Sequence, residues 1–557
     1  MRPTCAAARG PPCAISARAT DPPVITTCRR SPPRPKEPDM TARLLLTTAI
    51  LAATTAAASA ETLRMALKAE HPSVDPHFSR TSPGQNTASH IFEGLAGIDE
   101  TLQPVPLLAE AWENIDPTTW RIRLRDGVTF HDGSTLDAQD VIATFERIPN
   151  VANSPASFES NVAAIATIEA EDDLTLLITT HEPTPDLIEQ IGSVYILPSE
   201  LGTEISSRDF DAGTAAIGTG PWRYGGWTPN ERLTLTAFDD YWGDAPAFSD
   251  VLIRFIPNDA GRVAALIAGD VDVIDAVPAG DVPAIEGRSG AQMVAETTGR
   301  LIYLALDSDR EDSPFVSAPQ GGNPLQDVRV RQALSLMLDR QMISDRIMNG
   351  TATPTGQLVP EGFVGWTDQV PVPQADADAA RALLAEAGYP DGFSITLHGP
   401  NNRYQNDAQI LQAVSQLFAR AGLTSTVEAM PSNIFFDRAS QQEFSAFLGG
   451  FGTTTGSAIR GLQQVIATND ADAGTGGFNR TRFSDPEFDA LVAQAAQAFD
   501  EAERDALLAQ ATVRAFTDQQ AIIPLHFEQQ IWALREGLTY DARPIERTLA
   551  QDIRPAD

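Results

Sequence analysis

Cysteine and lysine are nearly missing from this chain of 557 residues. The three cysteines, Cys5, Cys13 and Cys28, lie near the N-terminus, so residues 61–557 can form no disulfide, no thiolate metal site and no cysteine nucleophile. Lys68 is the only lysine after residue 60, and it lies outside any G-x-x-x-x-G-K segment. The chain therefore has no phosphate-binding loop of the kind that ATPases use.

Recognisable catalytic motifs are also missing. The seven histidines are scattered and form no H-E-x-x-H segment, and no G-x-S-x-G nucleophile elbow occurs. Pairs of acidic residues are frequent, as this composition leads one to expect, and they define no catalytic dyad. We therefore expect a protein that is not an enzyme and that holds no cofactor and no metal ion.

Positive charge is in short supply as well. The chain has 40 Lys and Arg against 74 Asp and Glu, a net charge of −34. Residues 1–60 hold 8 basic and 3 acidic residues, which leaves about −39 on residues 61–557. Such acidity argues against binding to nucleic acid, whose phosphates need a cationic surface, and against docking on an anionic membrane. We expect a solvated acidic surface that keeps the protein soluble.

The N-terminus has the pattern of an export signal. A short basic stretch, an apolar run and an A-x-A sequence follow one another in residues 40–60, which predicts a signal peptide cleaved after Ala60. The apolar run is too short for a retained membrane span, and Glu61 stands where a lipoprotein would have cysteine. Residues 1–39 are interpreted as a mis-called start or a leader that is also removed. We therefore expect a mature protein that is free in the periplasm.

Residues 119–148 combine a strand, a turn and a helix. Apolar residues alternate with arginines in residues 119–125, which predicts a strand with one buried face. Asp-Gly pairs on either side of residues 128–130 predict a hairpin. Apolar residues then recur at helical spacing, with Thr135 or Asp137 placed to cap the helix.

Amphipathic stretches elsewhere predict longer helices. Residues 379–387 end at Gly388 with Pro390 just beyond, the usual signal for a helix end. Residues 407–421 place their apolar side chains on one stripe, as expected for a helix packed on a core. The mixture of strands and long helices predicts an α/β fold.

Outside residues 119–148, nine short segments have amino-acid sequences that recur in one protein family. They are DPHFSRT (75–81), HIFEGLAGID (90–99), LAEAW (108–112), GTGPW (218–222), DDYWG (239–243), ALIAGDVDVID (265–275), DVRVRQALSLMLDRQMI (327–343), ARALLAEAGYPDGF (380–393) and FSDPEFDALV (483–492). In this order, they resemble the family 5 extracellular solute-binding proteins of ABC importers, which include oligopeptide, dipeptide and nickel binders. Because the resemblance extends over more than 400 residues, chance is a poor explanation of it.

The resemblance implies a two-lobed α/β periplasmic binding protein fold with a hinge and a discontinuous first lobe. Residues 61–97, 216–298 and 520–557 would build the first lobe, and residues 98–215 an extra subdomain of it. Residues 299–519 would form the second lobe. Ligand would lie in the cleft between the lobes, and closure of the lobes would bury it.

The resemblance also implies a function. The protein would capture peptides or peptide-like solutes in the periplasm and deliver them to the transmembrane subunits of an ABC permease. It would do so as a monomer that neither inserts into the membrane nor binds nucleic acid. An oligosaccharide, an opine or a metal complex as ligand remains an alternative, as does a role as a periplasmic sensor.

The choice among ligands depends on residues 448–461. In peptide-binding relatives this segment carries an aromatic-Gly-x-Asp pattern, whose carboxylate pairs with the ammonium group of the peptide. Here Phe451 and Gly452 are followed by Thr453 and Thr454, and the segment contains no acid. Hydroxyl groups form hydrogen bonds but cannot neutralise an ammonium ion. The departure weakens the prediction of a free peptide N-terminus and leaves room for blocked or cyclic peptides, opines or oligosaccharides.

A second candidate segment lies between a predicted strand and the helix of residues 407–421, where loops of open α/β sheets meet ligands. Arg403 is placed to clamp a carboxylate and Tyr404 to stack on a ring or a peptide plane. Asp407 is a candidate for the missing acid, with capping of the helix as the alternative role. Phe436 would wall the cleft or pack inside the second lobe, and the resemblance places the loop after the first strand near the ligand. The predicted ligand contacts are His77, Phe78, Arg403, Tyr404, Asp407, Phe436, Phe451, Gly452, Thr453 and Thr454.

Overall fold

The computed structural model describes residues 61–288, 290–453, 455–471 and 473–556. The predicted leader, the signal peptide with its cleavage after Ala60, and the predicted ligand contact Thr454 lie outside the described residues. Within the described residues strands and helices are interspersed along the chain, which confirms the predicted α/β class.

The strands form one large sheet and three small ones in this part of the chain. In chain order they are β1 (Thr62–Leu67), β2 (Ala96–Ile98), β3 (Pro104–Pro106), β4 (Ala109–Asp116), β5 (Thr119–Leu124), β6 (Ile165–Asp172), β7 (Thr175–Thr180), β8 (Trp222–Thr228), β9 (Arg232–Ala237), β10 (Asp250–Phe255), β11 (Val273–Ile274), β12 (Ala291–Leu306), β13 (Val316–Ser317), β14 (Ala352–Pro354), β15 (Ser394–Pro400), β16 (Thr424–Met430), β17 (Ala446–Gly452), β18 (Ile522–Arg535), β19 (Leu538–Tyr540) and β20 (Ile553–Pro555).

The helices fall into long and short groups. The longer α-helices are Ser82–Ile91, Ala138–Arg147, Asp259–Ala268, Val328–Leu336, Ala377–Glu386, Asp407–Arg420, Ser432–Ser440, Pro486–Ala495 and Glu501–Val513. The shorter ones are Glu159–Val162, Leu187–Ile191, Ser207–Asp211, Val282–Glu286, Arg340–Met342 and Ile459–Gly461. Five-residue π-turns occur at Ile343–Ile347, Leu462–Ile466 and Arg514–Asp518, and 3-10 turns at Ile148–Asn150, Ser199–Leu201, Pro324–Gln326 and Ala550–Asp552.

The large sheet is the frame that positions the candidate site. Its strands are ordered β13-β15-β17-β12-β18-β11-β1-β10-β9-β8, with β16 paired to β15 and β14 to β18. We call β8, β9, β10, β1 and β11 the first half of the sheet, and β13, β15, β16 and β17 the second half. The long strands β12 and β18, with 16 and 14 residues, pair with each other and connect the two halves.

The pairing of β12 with β18 is irregular where the chain passes from one half to the other. Register shifts occur between Thr297 and Leu301 and between Ile302 and Tyr303 of β12. Such irregularities bend a strand and increase its local twist. The two halves are therefore joined through a bent pair of strands.

Helices pack on the sheet as the apolar patterns predict. The helix expected over residues 407–421 is observed as Asp407–Arg420, with Ile410, Leu411, Val414 and Phe418 fully buried. Strands that are covered on both faces read as apolar runs rather than as alternating patterns. The last six residues of β12 illustrate this, because all of them are buried.

The small sheet β4-β5-β7-β6 packs against the helix Ala138–Arg147. Its strand β5 has the predicted buried face, and Asp137 caps the helix in a reciprocal capping box with Asp140. The predicted hairpin is present only as a short one: Thr129 bridges Thr135, Phe130 N donates to Ser134 O over 2.8 Å, and Leu136 N donates to Val128 O over 3.0 Å. The strand β5 itself pairs with β4 and β7.

Candidate functional site

Arg300 lies at the bend of β12, between the two halves of the sheet. It pairs with Gly452 of β17 in the strand register. Its Nε donates to Glu546 Oε1 over 2.5 Å, and its Nη2 donates to Glu546 Oε2 over 3.1 Å. Burial lowers the pKa of Arg300, but the charges of Glu546 and Glu528 outweigh burial and raise it. The guanidinium is therefore a fixed positive charge at this point of the fold.

Glu528 of β18 lies beside this ion pair. Its Oε1 accepts a hydrogen bond from the backbone N–H of Gln405 over 2.9 Å, and its Oε2 is 4.0 Å from Arg300 Nε. Burial is the main reason that the pKa of Glu528 rises to about 7. One carboxylate oxygen is thus held, whereas the other has only a long ionic contact within the described residues.

Segments that are distant in sequence meet in this group of side chains. Ser82 donates to Glu546 Oε2 over 3.2 Å from the first turn of the helix Ser82–Ile91. Gln405 reaches the strand β18 from the other side, since its Nε2 donates to Gln529 O over 3.2 Å. We call Arg300, Gln405, Glu528 and Glu546 the floor cluster.

The loop that contains Gln405 also contains three predicted ligand contacts. Asp407 Oδ2 accepts hydrogen bonds from the backbone N–H groups of Arg403 and Tyr404, over 2.9 and 3.2 Å. Tyr404 is buried, and its hydroxyl donates to Gly450 O over 3.4 Å. Asp407 thus holds the loop together, while the exposed Arg403 keeps its guanidinium 5.3 Å from the Tyr404 ring.

The segment after β17 packs directly on the floor cluster. A Cβ at Gly452 would lie 2.9 Å from Arg300 Nη2, so a larger residue here would require the guanidinium to shift. Phe451 is partly buried against the core of the second half. Thr453 donates through its N–H to Gly299 O over 3.1 Å and through its hydroxyl to Thr455 O over 2.7 Å. The hydroxyl of Thr453 therefore shapes the turn itself.

A contact between sequence-distant loops closes this side of the site. Gln103 Nε2 donates to Gly456 O over 2.7 Å, and Gly456 N donates to Leu102 O over 3.1 Å. Gln103 stands just before β3, outside the large sheet, whereas Gly456 follows β17 of the second half. The two bonds tie these regions together.

His77 and Phe78 have different surroundings. His77 is 1% exposed, its Nδ1 accepts from Arg147 Nη1 over 2.8 Å, and its Nε2 is 2.7 Å from Tyr195 O. Burial, followed by the charge of Arg147, lowers the pKa of His77 to about 4. Both ring nitrogens are occupied within the fold, so we do not carry His77 into the proposed ligand contacts. Phe78 is only half-buried.

Phe436 lies on the helix Ser432–Ser440, at the edge of the second-half core. It is partly buried, with its ring 5.2 Å from that of the fully buried Phe435 and 5.5 Å from the Arg480 guanidinium. No contact in the described residues joins it to the floor cluster. The structure therefore brings together the loops of Arg403 and Phe451, but not Phe436.

The sequence interpretation missed Arg300, Glu528 and Glu546. A signal was present, since Arg300 directly precedes the apolar run LIYLAL and Glu528 directly follows the apolar run IIPLHF, each within a long strand. Charged residues in such strands are rarely buried unless they are paired or functional. Within the described residues, no helix is long and apolar enough to cross a membrane, and no group of three or more His, Cys, Asp or Glu side chains is arranged to hold a metal ion.

Comparisons with known proteins identify the family and the fold. Residues 103–472 match the family described as "Bacterial extracellular solute-binding proteins, family 5 Middle". The glutathione-binding protein GsiB of Pectobacterium atrosepticum is 28% identical over 476 residues, which cover 83% of this chain and 87% of that protein. Among solved structures, HbpA2 from Haemophilus parasuis has a TM-score of 0.77 at 24% identity, covering 89% of this chain and 100% of its own. AgaA, a PBP from A.tumefacien R10 in complex with agropinic acid, has a TM-score of 0.66 at 25% identity, with coverages of 89% and 99%.

Proposed function

The chain belongs to family 5 of the bacterial extracellular solute-binding proteins, and we propose that it is the periplasmic substrate-binding subunit of an ABC importer. It captures a peptide-like solute and delivers it to the transmembrane subunits of a permease. It binds its solute without catalysing a reaction, as a soluble monomer. The relative that binds glutathione by name supports a small peptide-like ligand.

The floor cluster is the observation that carries this proposal. It offers a carboxylate, that of Glu528, with one oxygen free of hydrogen bonds in the described residues. The exposed Arg403 stands on the neighbouring loop. A ligand ammonium group would bind Glu528, and a ligand carboxylate would bind Arg403. Charge-assisted bonds of this kind are stronger in a partly desolvated cleft than in water.

Glu528 takes the place of the acidic residue that is missing from residues 448–461. The aromatic-Gly segment of this chain carries threonines, and Gly452 packs on the Arg300 guanidinium. Glu528 places a carboxylate oxygen 4.0 Å from Nε of that guanidinium. The ammonium of a peptide-like ligand is therefore taken by a strand residue instead of a loop residue. Phe78, Tyr404 and Phe451 supply apolar and aromatic walls.

The lobes of the proposal follow the predicted boundaries. Residues 61–97, 216–298 and 520–557 form the first lobe with the subdomain 98–215, and residues 299–519 form the second. The register shifts of β12 between Thr297 and Tyr303 support a hinge at this boundary. Contacts such as that of Gln103 with Gly456 favour a closed form, and a ligand that adds contacts on both sides shifts the equilibrium further.

Export requires the predicted signal peptide and its cleavage after Ala60. The start of β1 at Thr62 supports this site, because cleavage would leave the first strand intact. The Glu61 carboxylate, which accepts from Arg535 Nη2 over 2.7 Å, would be retained in the mature protein.

Mass spectrometry of the ligand released by the purified, unheated protein tests the proposal first. Titration calorimetry with reduced glutathione, a dipeptide, a neutral disaccharide and a nickel–histidine complex then ranks ligand classes. We expect binding of a ligand with an ammonium and a carboxylate group. Glu528→Gln, which keeps the side-chain volume, weakens that binding at least tenfold, whereas Glu536→Gln on an exposed residue just beyond β18 leaves it unchanged.

Preferential binding of the disaccharide or the nickel complex would overturn the peptide-like assignment. Equal affinities of the wild type and Glu528→Gln for an amine ligand would overturn the role of the floor cluster. Turnover of any solute that survives repurification would contradict the proposed absence of catalysis.

A further inference from the structure

A cavity lies away from the floor cluster. It has a volume of about 330 Å³ and lies between the segment around the short helix Leu187–Ile191 and the segments around Ile459–Gly461 and Glu501–Val513. The first segment follows the small sheet, whereas the other two pack on the second half of the large sheet. A volume of this size lies at the lower end of the range for small-molecule sites.

Three charged side chains border this cavity. Glu189, Arg460 and Arg504 form neither a side-chain hydrogen bond nor an ion pair within the described residues, although all three border the same space. By contrast, Asp186 at the same rim accepts from Gln190 Nε2 over 2.9 Å. Glu189 and Arg504 are half-buried and Arg460 is exposed. Partly buried charges are normally paired, so Glu189 and Arg504 require water or a solute as their partner, and Arg460 adds a solvent-facing positive charge beside them.

Burial and neighbouring charges shift the pKa values of residues at and near the cavity. Burial, and next the charge of Asp186, raise the pKa of Glu189 to about 7, although Arg504 and Arg460 act in the opposite direction. Burial and the nearby charge of Arg460 lower the pKa of Arg80, a residue from another part of the chain. The cavity therefore combines the carboxyl group of Glu189, next to Asp186, with the guanidinium groups of Arg460 and Arg504.

We propose that this cavity binds a small zwitterion of the α-amino acid type, at a site separate from the floor cluster. The carboxylate of the solute binds Arg460 and Arg504, and its ammonium group binds Glu189. The opposite charges of the site are carried by opposite sides of the cavity, because Glu189 belongs to the segment after the small sheet and both arginines belong to the second-half side. A bound amino acid consequently joins the two sides.

Calorimetric titration of the full chain with glycine, L-alanine, L-glutamate and L-lysine tests this site, with glutarate as the analogue of glutamate that lacks the ammonium group. We expect saturable binding of at least one amino acid, and weaker binding of glutarate than of glutamate. Glu189→Gln and Arg504→Gln each weaken the binding at least tenfold. The exposed Arg381→Gln, on the helix Ala377–Glu386, is the matched control and leaves binding unchanged.

Two further outcomes test whether the cavity is a separate amino acid site. Absence of binding by all four amino acids at 10 mM, the upper end of the roughly millimolar weak-binding range, would overturn the proposal and leave water as the partner of these charges. Loss of amino acid binding in Glu528→Gln would place the amino acid in the cleft and overturn the separate site. Retention in Glu528→Gln together with loss in Glu189→Gln supports the site, whatever the cleft is found to bind. Thermal melting curves that match the wild type show that the variants are folded.

Discussion

Two groups of buried charges in this protein are built differently. In the first, Asp75 binds Arg147 through both carboxylate oxygens over 3.0 and 2.7 Å, and also accepts from Ser207 over 2.7 Å. In the second, the floor cluster, Glu528 has one hydrogen bond and one ionic contact at 4.0 Å. Burial raises the pKa of Asp75, but Arg147 outweighs burial and lowers it, whereas burial dominates at Glu528 and raises its pKa to about 7.

The difference separates a structural network from a binding site. The Asp75–Arg147 pair, with His77 beside it, uses both carboxylate oxygens of Asp75 and fixes the loop after β1 against the helix Ala138–Arg147. Glu528 keeps an acceptor oxygen that the fold does not use. A buried charge that is incompletely paired destabilises the fold, and such charges are concentrated at functional sites, so incomplete pairing is the more informative sign of a site.

We expect the largest loss of stability from a substitution at Asp75. Asp75→Asn removes one charge of a buried pair and leaves Arg147 uncompensated, so we expect the free energy of unfolding to fall by about 3–5 kcal/mol. Chemical denaturation measures this loss. The exposed Asp378→Asn is the control and should not change the midpoint. A midpoint for Asp75→Asn equal to that of the wild type would show that the Asp75–Arg147 pair does not stabilise the fold.

Glu528→Gln should have the opposite profile, with a large effect on binding and a small one on stability. The amide still accepts a hydrogen bond from Gln405 N–H but cannot neutralise an ammonium group. We expect the Kd for the released ligand, or for glutathione, to rise at least tenfold, about 1.4 kcal/mol. Calorimetry and denaturation on the same preparation compare the two effects. A stability loss as large as that of Asp75→Asn, with unchanged affinity, would make Glu528 structural.

The pH dependence distinguishes the two carboxylates further. The folded-state pKa of Glu528 is about 7, above the ordinary 4.5, so its contribution to stability is complete below pH 4.5 and is lost as the pH rises through about 7. Binding of an ammonium group requires the ionised form, so affinity should change in the other direction. Between pH 7.5 and 6.0 we expect the Kd to rise roughly eightfold. This rise should be absent in Glu528→Gln; a wild-type Kd that stays constant over this range would contradict the role of Glu528.

The smallest effect is expected at the contact between Gln103 and Gly456. Gln103→Ala removes a single hydrogen bond, worth about 0.5–1.5 kcal/mol, from the closed arrangement. We expect the affinity to fall about two- to fivefold through a shift toward an open form, with unchanged pH dependence. Small-angle scattering with and without ligand follows the change. A loss of stability without a change in affinity would assign this contact to the fold alone.

The sequence predicted more of the fold than of the site. Residues 379–387 and 407–421 were placed as helices because apolar periodicity and helix-end signals are local. The hairpin around residues 128–130 is limited to one bridge and its flanking hydrogen bonds, and the partners of β5 come from β4 and β7. The position of residues 403–407 between a strand and a helix predicts a ligand loop, whereas residues 451–453 are indicated only by the resemblance to the family.

The amino-acid sequence by itself determined the α/β class, the family and the absence of an acid in residues 448–461, since these follow from local patterns and residue types. Only the tertiary structure decided which charges meet. Arg300 and Glu546 are 246 positions apart, and Gln405 and Glu528 are 123 apart. Neither pairing has a local signature, because each results from strand order in the large sheet and from the burial that this order imposes.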